Sequence, residues 1–168
     1  MDLRLRGKAA FVAAASRGMG RAAAIALAQE GADVGICART AGPVEEATRQ
    51  LRAGGARVES VVADVSNRRE CADAVEKVAQ ALGRLDILVV NAGGPPRGAF
   101  TALNATQWDG AFALTLMSAV TLVSAALPWL EESEAGSIVF ISSWSVRQPI
   151  PGLTLSNSLR GAVGGLAK

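Results

Sequence analysis

The sequence predicts an α/β fold, a doubly wound parallel sheet, and three observations predict it. Short apolar or β-rich runs alternate with helix-forming runs along the chain. One of them, residues 85–90, is apolar apart from Asp86 near its start, as in a parallel strand covered on both faces. Glycine or polar residues also follow each of five such runs, at the strand ends where a doubly wound sheet opens its ligand crevice.

Taken in order, residues 8–15 read as the first strand, and residues 18–30 as an Ala-rich helix closed by Gly31. Residues 33–38 are the second strand, and residues 43–52 a helix stopped at Gly54-Gly55. Residues 57–63 form the third strand. A helix over 67–82 follows, with Ser66 or Asn67 as N-cap and Gly83 as its stop. The fourth strand, 85–90, leads into a loop stiffened by Pro95 and Pro96. Residues 106–131 form a long helix, residues 137–142 the fifth strand, and residues 153–168 open another helix. On the long helix Trp108, Phe112, Leu116, Val120, Val123 and Leu127 recur at helical spacing, a core or dimer face. With no linker and no repeat beyond the βα unit, residues 1–168 read as a single domain.

Half of the 168 residues are hydrophobic and the net charge is +2, which argues against disorder and against a nucleic-acid surface. The chain has no His, and its two cysteines, Cys37 and Cys71, lack metal-ligand spacing, so no metal site is expected. Free buried thiols suit a reducing cytoplasm. The first seven residues lack an apolar core followed by a cleavage site, so no signal peptide is expected and the chain reads as cytoplasmic. Residues 111–130 are uncharged and long enough to span a bilayer, but the strand–helix alternation around them favours a soluble reading without a membrane partner.

The first strand runs into Ser16-Arg17-Gly18-Met19-Gly20 and then a helix. Unpaired N–H groups at such a helix start, with the helix dipole, favour an anion. Gly18 and Gly20 let a pyrophosphate approach the backbone. These five residues therefore predict a dinucleotide site, the alternative being a purely structural turn. Where NAD-binding members of this fold place an acid on the ribose, the chain has Ala38 followed by Arg39. Arg17 and Arg39 suit a 2′-phosphate, which favours NADP(H) over NAD(H); a solvated surface charge is the alternative for Arg39. Asp64 stands where a helix dipole favours a carboxylate. Asn91, Ala92 and Gly93 follow the fourth strand, and Ser143 with Trp144 follows the fifth. Trp144 fits a pocket wall and core or interface packing equally well.

Four blocks in this order, Ala15-Ser16-Arg17-Gly18-Met19-Gly20, Ala63-Asp64-Val65, Val90-Asn91-Ala92-Gly93 and Gly136 through Ser143, resemble the short-chain dehydrogenase/reductase family, especially its ketoacyl-reductase-like members. The resemblance implies a Rossmann-type fold and a small-molecule carbonyl or alcohol substrate. Hydride would pass between nicotinamide and that substrate, in the manner of a 3-oxoacyl reductase. It gives Asp64 the adenine amino group, gives Asn91, Ala92 and Gly93 the adenine-ribose and nicotinamide side, and has Ser143 orient the substrate carbonyl. With the apolar long helix, it also implies a homo-oligomer.

The departures from the family pattern matter as much. The phosphate loop opens with Ala13-Ala14 in place of Thr-Gly, and Ala14 lacks glycine's easy access to positive φ, so the turn is expected to be built differently. Thr115 replaces the long helix's Asn, which organises a proton-relay water. Ser156 and Arg160 stand where the family carries its Tyr and Lys, and the chain has no Tyr at all. A serine hydroxyl is a far weaker acid than a phenol, and Arg stays protonated. Losing the general acid costs roughly 10²–10⁴ in rate. The catalytic set is then Ser143, Ser156, Arg160 and Thr115, and a second function class stands beside the enzyme: a nucleotide-binding or assembly module with little catalysis. The pattern stops after the fifth strand and the start of the next helix, short of the family's further strands. It therefore reads as truncated, with strand five an uncovered edge.

Overall fold

The structure, a computed structural model, describes residues 3–168. Met1 and Asp2, part of the segment read for a leader, lie outside the described residues. Five strands, β1 (Ala9–Val12), β2 (Asp33–Ala38), β3 (Val58–Val62), β4 (Ile87–Val90) and β5 (Ser137–Phe140), form one parallel sheet in the order β3-β2-β1-β4-β5. From β1 the chain winds outward through β2 to β3, then crosses back to β4. The strand order therefore reverses between β1 and β4, and a crevice opens there at the carboxyl ends.

Six helices alternate with the strands: α1 (Gly18–Gln29), α2 (Ala41–Ala53), α3 (Arg68–Leu82), α4 (Ala105–Phe112), α5 (Ser118–Glu131) and α6 (Thr154–Leu166). Side-chain alternation along the central strands feeds two cores. Ala9 and Phe11 of β1, with Leu88 and Val90 of β4, face α3 and α5. Ala10 and Val12, with Ile87 and Val89, face α1 and α2. A smaller cluster of Ala111, Leu155 and Leu159 joins α4 to α6. Every residue of β1 and β4 is buried, which is why these strands read as continuous apolar runs.

Local chemistry sets the helix ends. Asn67 caps α3, its Oδ1 accepting from the N–H of Arg69 at 3.1 Å and of Glu70 at 3.3 Å. Gly83 ends it at φ +81°, in the left-handed region. Asn104 and Gln107 form a reciprocal capping box on α4.

The structure departs from the sequence expectations in three places. The first strand ends at Val12 rather than residue 15, because Ala13 to Ala15 already turn away, and the fifth strand ends at Phe140. The long helix is interrupted between α4 and α5 by a π-helical turn, Ala113–Met117. The stripe from Trp108 to Leu127 is not the most buried face: Trp108, Leu116 and Val123 pack half-buried at the margin of the cores. Phe112 and Leu127 are exposed, while Ala111, Thr115, Ser118, Ala119, Leu122, Ala126 and Leu130 point inward. Small residues, with Leu122 and Leu130, take the inner face because the helix lies close to the sheet and α3.

By length and composition alone Ala105–Glu131 is apolar enough to cross a membrane; here it lies along α3 and β4. β5 is one edge of the sheet, β3 being the other, and Val139 of β5 is exposed. Cys37 and Cys71 are free and buried, and burial pushes their thiols up to about 11 and about 12.

Candidate active site

The turn after β1 is held by both neighbouring strands. Ala13 N–H donates to Val89 O at 3.1 Å, and Ala15 N–H to Cys37 O at 2.9 Å. Between them Ala14 sits at φ +49°. The expectation of a differently built turn is thereby corrected: the left-handed conformation is kept with an alanine in it, at a cost of about 1–2 kcal/mol. Asn91, at the end of β4, braces the strained turn. Its Nδ2 donates to Ala13 O at 3.1 Å and Ala14 O at 3.3 Å.

Gly20 completes the packing. A Cβ there would lie 2.7 Å from Asn91 Nδ2 and 2.8 Å from Ala14 O, so only glycine allows α1 to come this close. α1 starts at Gly18 with no side-chain cap on Arg17 and no acid in its first turn. Its leading N–H groups are therefore left for an external anion.

This helix start opens onto a crevice of about 290 Å³. Ser16, Arg17, Gly18 and Met19 form one side, Arg39 and Thr40 one end, and Asn91, Ala92 and Gly93 the other side. Gly20 lies behind the turn rather than on the wall. Asp64 is also off the wall, where its neighbours Ala63 and Val65 stand. Its Oδ1 accepts from Ser66 N–H at 2.9 Å and Ser66 Oγ–H at 2.8 Å, and its Oδ2 is 4.0 Å from Arg39 Nη1. The sequence reading missed Thr40, which a helix-start Thr after β2 signals. It also missed Leu114, which no local signal marks because the π turn delivers it.

A second, smaller crevice of about 20 Å³ shares Asn91 and Ala92 with the first. It brings Thr115 and Arg160 together with Ser118, Ile141 and Val163. Arg160 Nη1 donates to Ile141 O at 3.1 Å, and partial burial lowers the guanidinium's pKa from its usual value. Ser143 and Ser156 line neither crevice. Ser143 Oγ accepts from Ser145 N–H at 3.1 Å, capping a single 3₁₀ turn, Trp144–Val146. Trp144 is 71% exposed, so it is not core. Ser156 is half-buried on α6, one helical turn before Arg160. The loops after β4 and β5 are tied together by Gly98 N–H to Gly152 O at 2.8 Å, and Asn157 clamps Ile150 N–H and O.

Fold and crevice define an α/β protein of the Rossmann type. The family model for short chain dehydrogenase matches residues 8–168, and the chain belongs to that family. An uncharacterized oxidoreductase of Mycobacterium tuberculosis is 35% identical over 161 residues, 95% of this chain and 61% of that protein. The L-rhamnose 1-dehydrogenase (NAD(P)(+)) of a Sphingomonas species is 38% identical over 143 residues, 84% of this chain and 56% of its own length. Among solved structures, L-sorbose reductase of Gluconobacter frateurii, complexed with NADPH and L-sorbose, superposes with a TM-score of 0.95 at 30% identity. That match covers 99% of this chain and 64% of that one. Carveol dehydrogenase of Mycobacterium avium, in complex with NAD, gives 0.92 at 29% identity, over 97% of this chain and 64% of that one. The chain thus spans about six-tenths of the length of the relatives it matches.

Proposed function

We propose that the chain is the dinucleotide-binding domain of an NADP(H)-dependent oxidoreductase acting on a small carbonyl or alcohol substrate, 3-oxoacyl substrates being the class the family resemblance favours. The observation that supports this most is the uncapped, acid-free start of α1 opening on a crevice with Arg17 and Arg39 on its wall. The residues present fit the cofactor: the Gly18 turn leaves N–H groups for the diphosphate, and the two guanidinium groups suit a 2′-phosphate. When bound, the nicotinamide supplies or takes up the hydride. Ser143 Oγ accepts its hydrogen bond from Ser145, so its own O–H is left to donate to a substrate oxygen. Ser156 stands in for the missing phenol as a poor proton donor, and Arg160 adds positive charge.

One set of observations favours a second reading, a nucleotide-binding or assembly module with little turnover. No phenol exists anywhere in the chain, and the Arg160 guanidinium is engaged with a backbone carbonyl. Titration with NADPH, followed by a hydride-transfer assay on a panel of ketones, separates the two. Turnover abolished by Ser143→Ala supports the enzyme. Binding without turnover supports the module, and no binding of either nicotinamide nucleotide sinks both.

We further propose self-association through the outer stripe of α4 and α5, where Phe112 and Leu127 are exposed.

A further inference from the structure

The crevice below Asn91 holds an unpaired set of donors. Thr115 is only 5% exposed, and its Oγ1 has no hydrogen-bond partner. A hydroxyl sealed away in this condition costs about 1–3 kcal/mol unless something accepts from it. Facing the same space is Arg160, half-buried, with one of its five N–H groups on Ile141 O. Among the described residues no carboxylate lies within ion-pair distance of it. From Ala135 to Lys168 every charged side chain is positive: Arg147, Arg160 and Lys168.

The remaining polar side chains of the wall have spent their hydrogens. Ser118 Oγ–H donates to Leu114 O, and the Asn91 amide donates to Ala13 and Ala14. Val90, Ala119, Ile141 and Val163 supply the rest of the wall with apolar surface. The site therefore offers free donors, a positive charge without its counter-charge, and about 20 Å³, room for a single water-sized occupant. A water would accept from Arg160 and Thr115 but leave the charge uncompensated in a partly desolvated place. A small anion accepts from both and neutralises the guanidinium.

We propose that the Thr115–Arg160 crevice is a binding site for one monovalent anion of halide size. The anion would hold Arg160 in place and, through the Ile141 carbonyl two residues before Ser143, the end of β5. The site shares Asn91 and Ala92 with the larger crevice, but its two donors, Thr115 and Arg160, lie outside the phosphate loop, so anion binding is tested without any nucleotide.

Bromide tests it directly. Crystals of the chain soaked in sodium bromide are expected to show an anomalous peak within hydrogen-bonding reach of Arg160 and Thr115 Oγ1. The near-isosteric Thr115→Val and the neutral Arg160→Met are expected to lose it. In solution, bromide replacing gluconate at constant ionic strength is expected to raise the thermal midpoint saturably in the wild type. Thr115→Val, which removes only the hydroxyl, is expected to lose that shift even where Arg160→Met folds poorly. Water density without anomalous signal in the crevice, or a halide response equal in wild type and Thr115→Val, overturns the proposal.

Discussion

At the scale of single residues, two positions carry separable effects. Ala14 is held at φ +49°, where an L side chain is strained and glycine is not. Ala14→Gly is expected to raise the unfolding free energy by about 0.5–1 kcal/mol, the relief of strain being partly offset by glycine's looser unfolded chain. Urea unfolding of the two proteins measures it, and an unchanged or lower midpoint contradicts a strained turn. Arg39 is mostly exposed and only weakly paired with Asp64, so it is free to meet a ligand. Arg39→Ala is expected to weaken NADPH about 10–100-fold, the worth of one charge-assisted hydrogen bond. NADH binding should be nearly unaffected, and calorimetry with both nucleotides reads the difference. Equal losses for the two would mean that Arg39 does not contact the 2′-phosphate.

Among elements, the tightest contact is α3 on β2. A Cβ added to Gly35 would lie 2.0 Å from Val78 Cγ1, and Val78 is fully enclosed. Gly35→Ala is therefore expected to cost about 1–3 kcal/mol as overpacking. Adding Val78→Ala should recover part of that loss, which a double-mutant cycle on unfolding free energies detects as coupling. Strictly additive effects would show that the two side chains do not compete for the same space. The π turn between α4 and α5 is the other element-scale device. Its extra residue changes the phase of the helix, which turns Thr115 inward and brings Leu114 to the larger crevice.

For the whole molecule, the amino-terminal rim of the sheet is tied through Asp86, which is completely buried. Burial by itself raises a carboxyl's pKa. Hydrogen bonds from Arg84, Ser133 Oγ and Ala9 N–H outweigh that and hold Asp86 at about 2. Because the folded value lies below the unfolded one, this stabilisation is complete above about pH 4 and is lost as the pH falls towards 2. The shift corresponds to about 2 kcal/mol. In Asp86→Asn the loss of stability between pH 5 and 2.5, read by urea unfolding, should be smaller than in the wild type by roughly that amount. An identical acid response would assign the stability to other groups. Size-exclusion chromatography with light scattering tests self-association. A mass above that of one chain that falls on Phe112→Glu with Leu127→Glu supports the outer stripe as the interface, and a monomer at all concentrations removes it.

By itself the sequence determined the alternation of strands and helices, the caps at Asn67 and Gly83, and the crevice residues from Ser16 to Met19. Each of these depends on local spacing, backbone freedom or side-chain-to-backbone bonds, which neighbouring residues settle. Apolar residues at helical spacing announced a packed helix but could not tell which face was inner. That depended on how closely the helix approaches α3 and the sheet, so mostly Ala, Ser and Thr, with Leu122 and Leu130, took the inner face, and Phe112 and Leu127 were left outside. Likewise, Ala14 could not be known to keep a left-handed turn until Asn91, seventy-seven residues away in sequence, was found holding its carbonyl. Only the tertiary structure paired Thr115 with Arg160, because a buried donor is recognised as unsatisfied only once everything that surrounds it is in place.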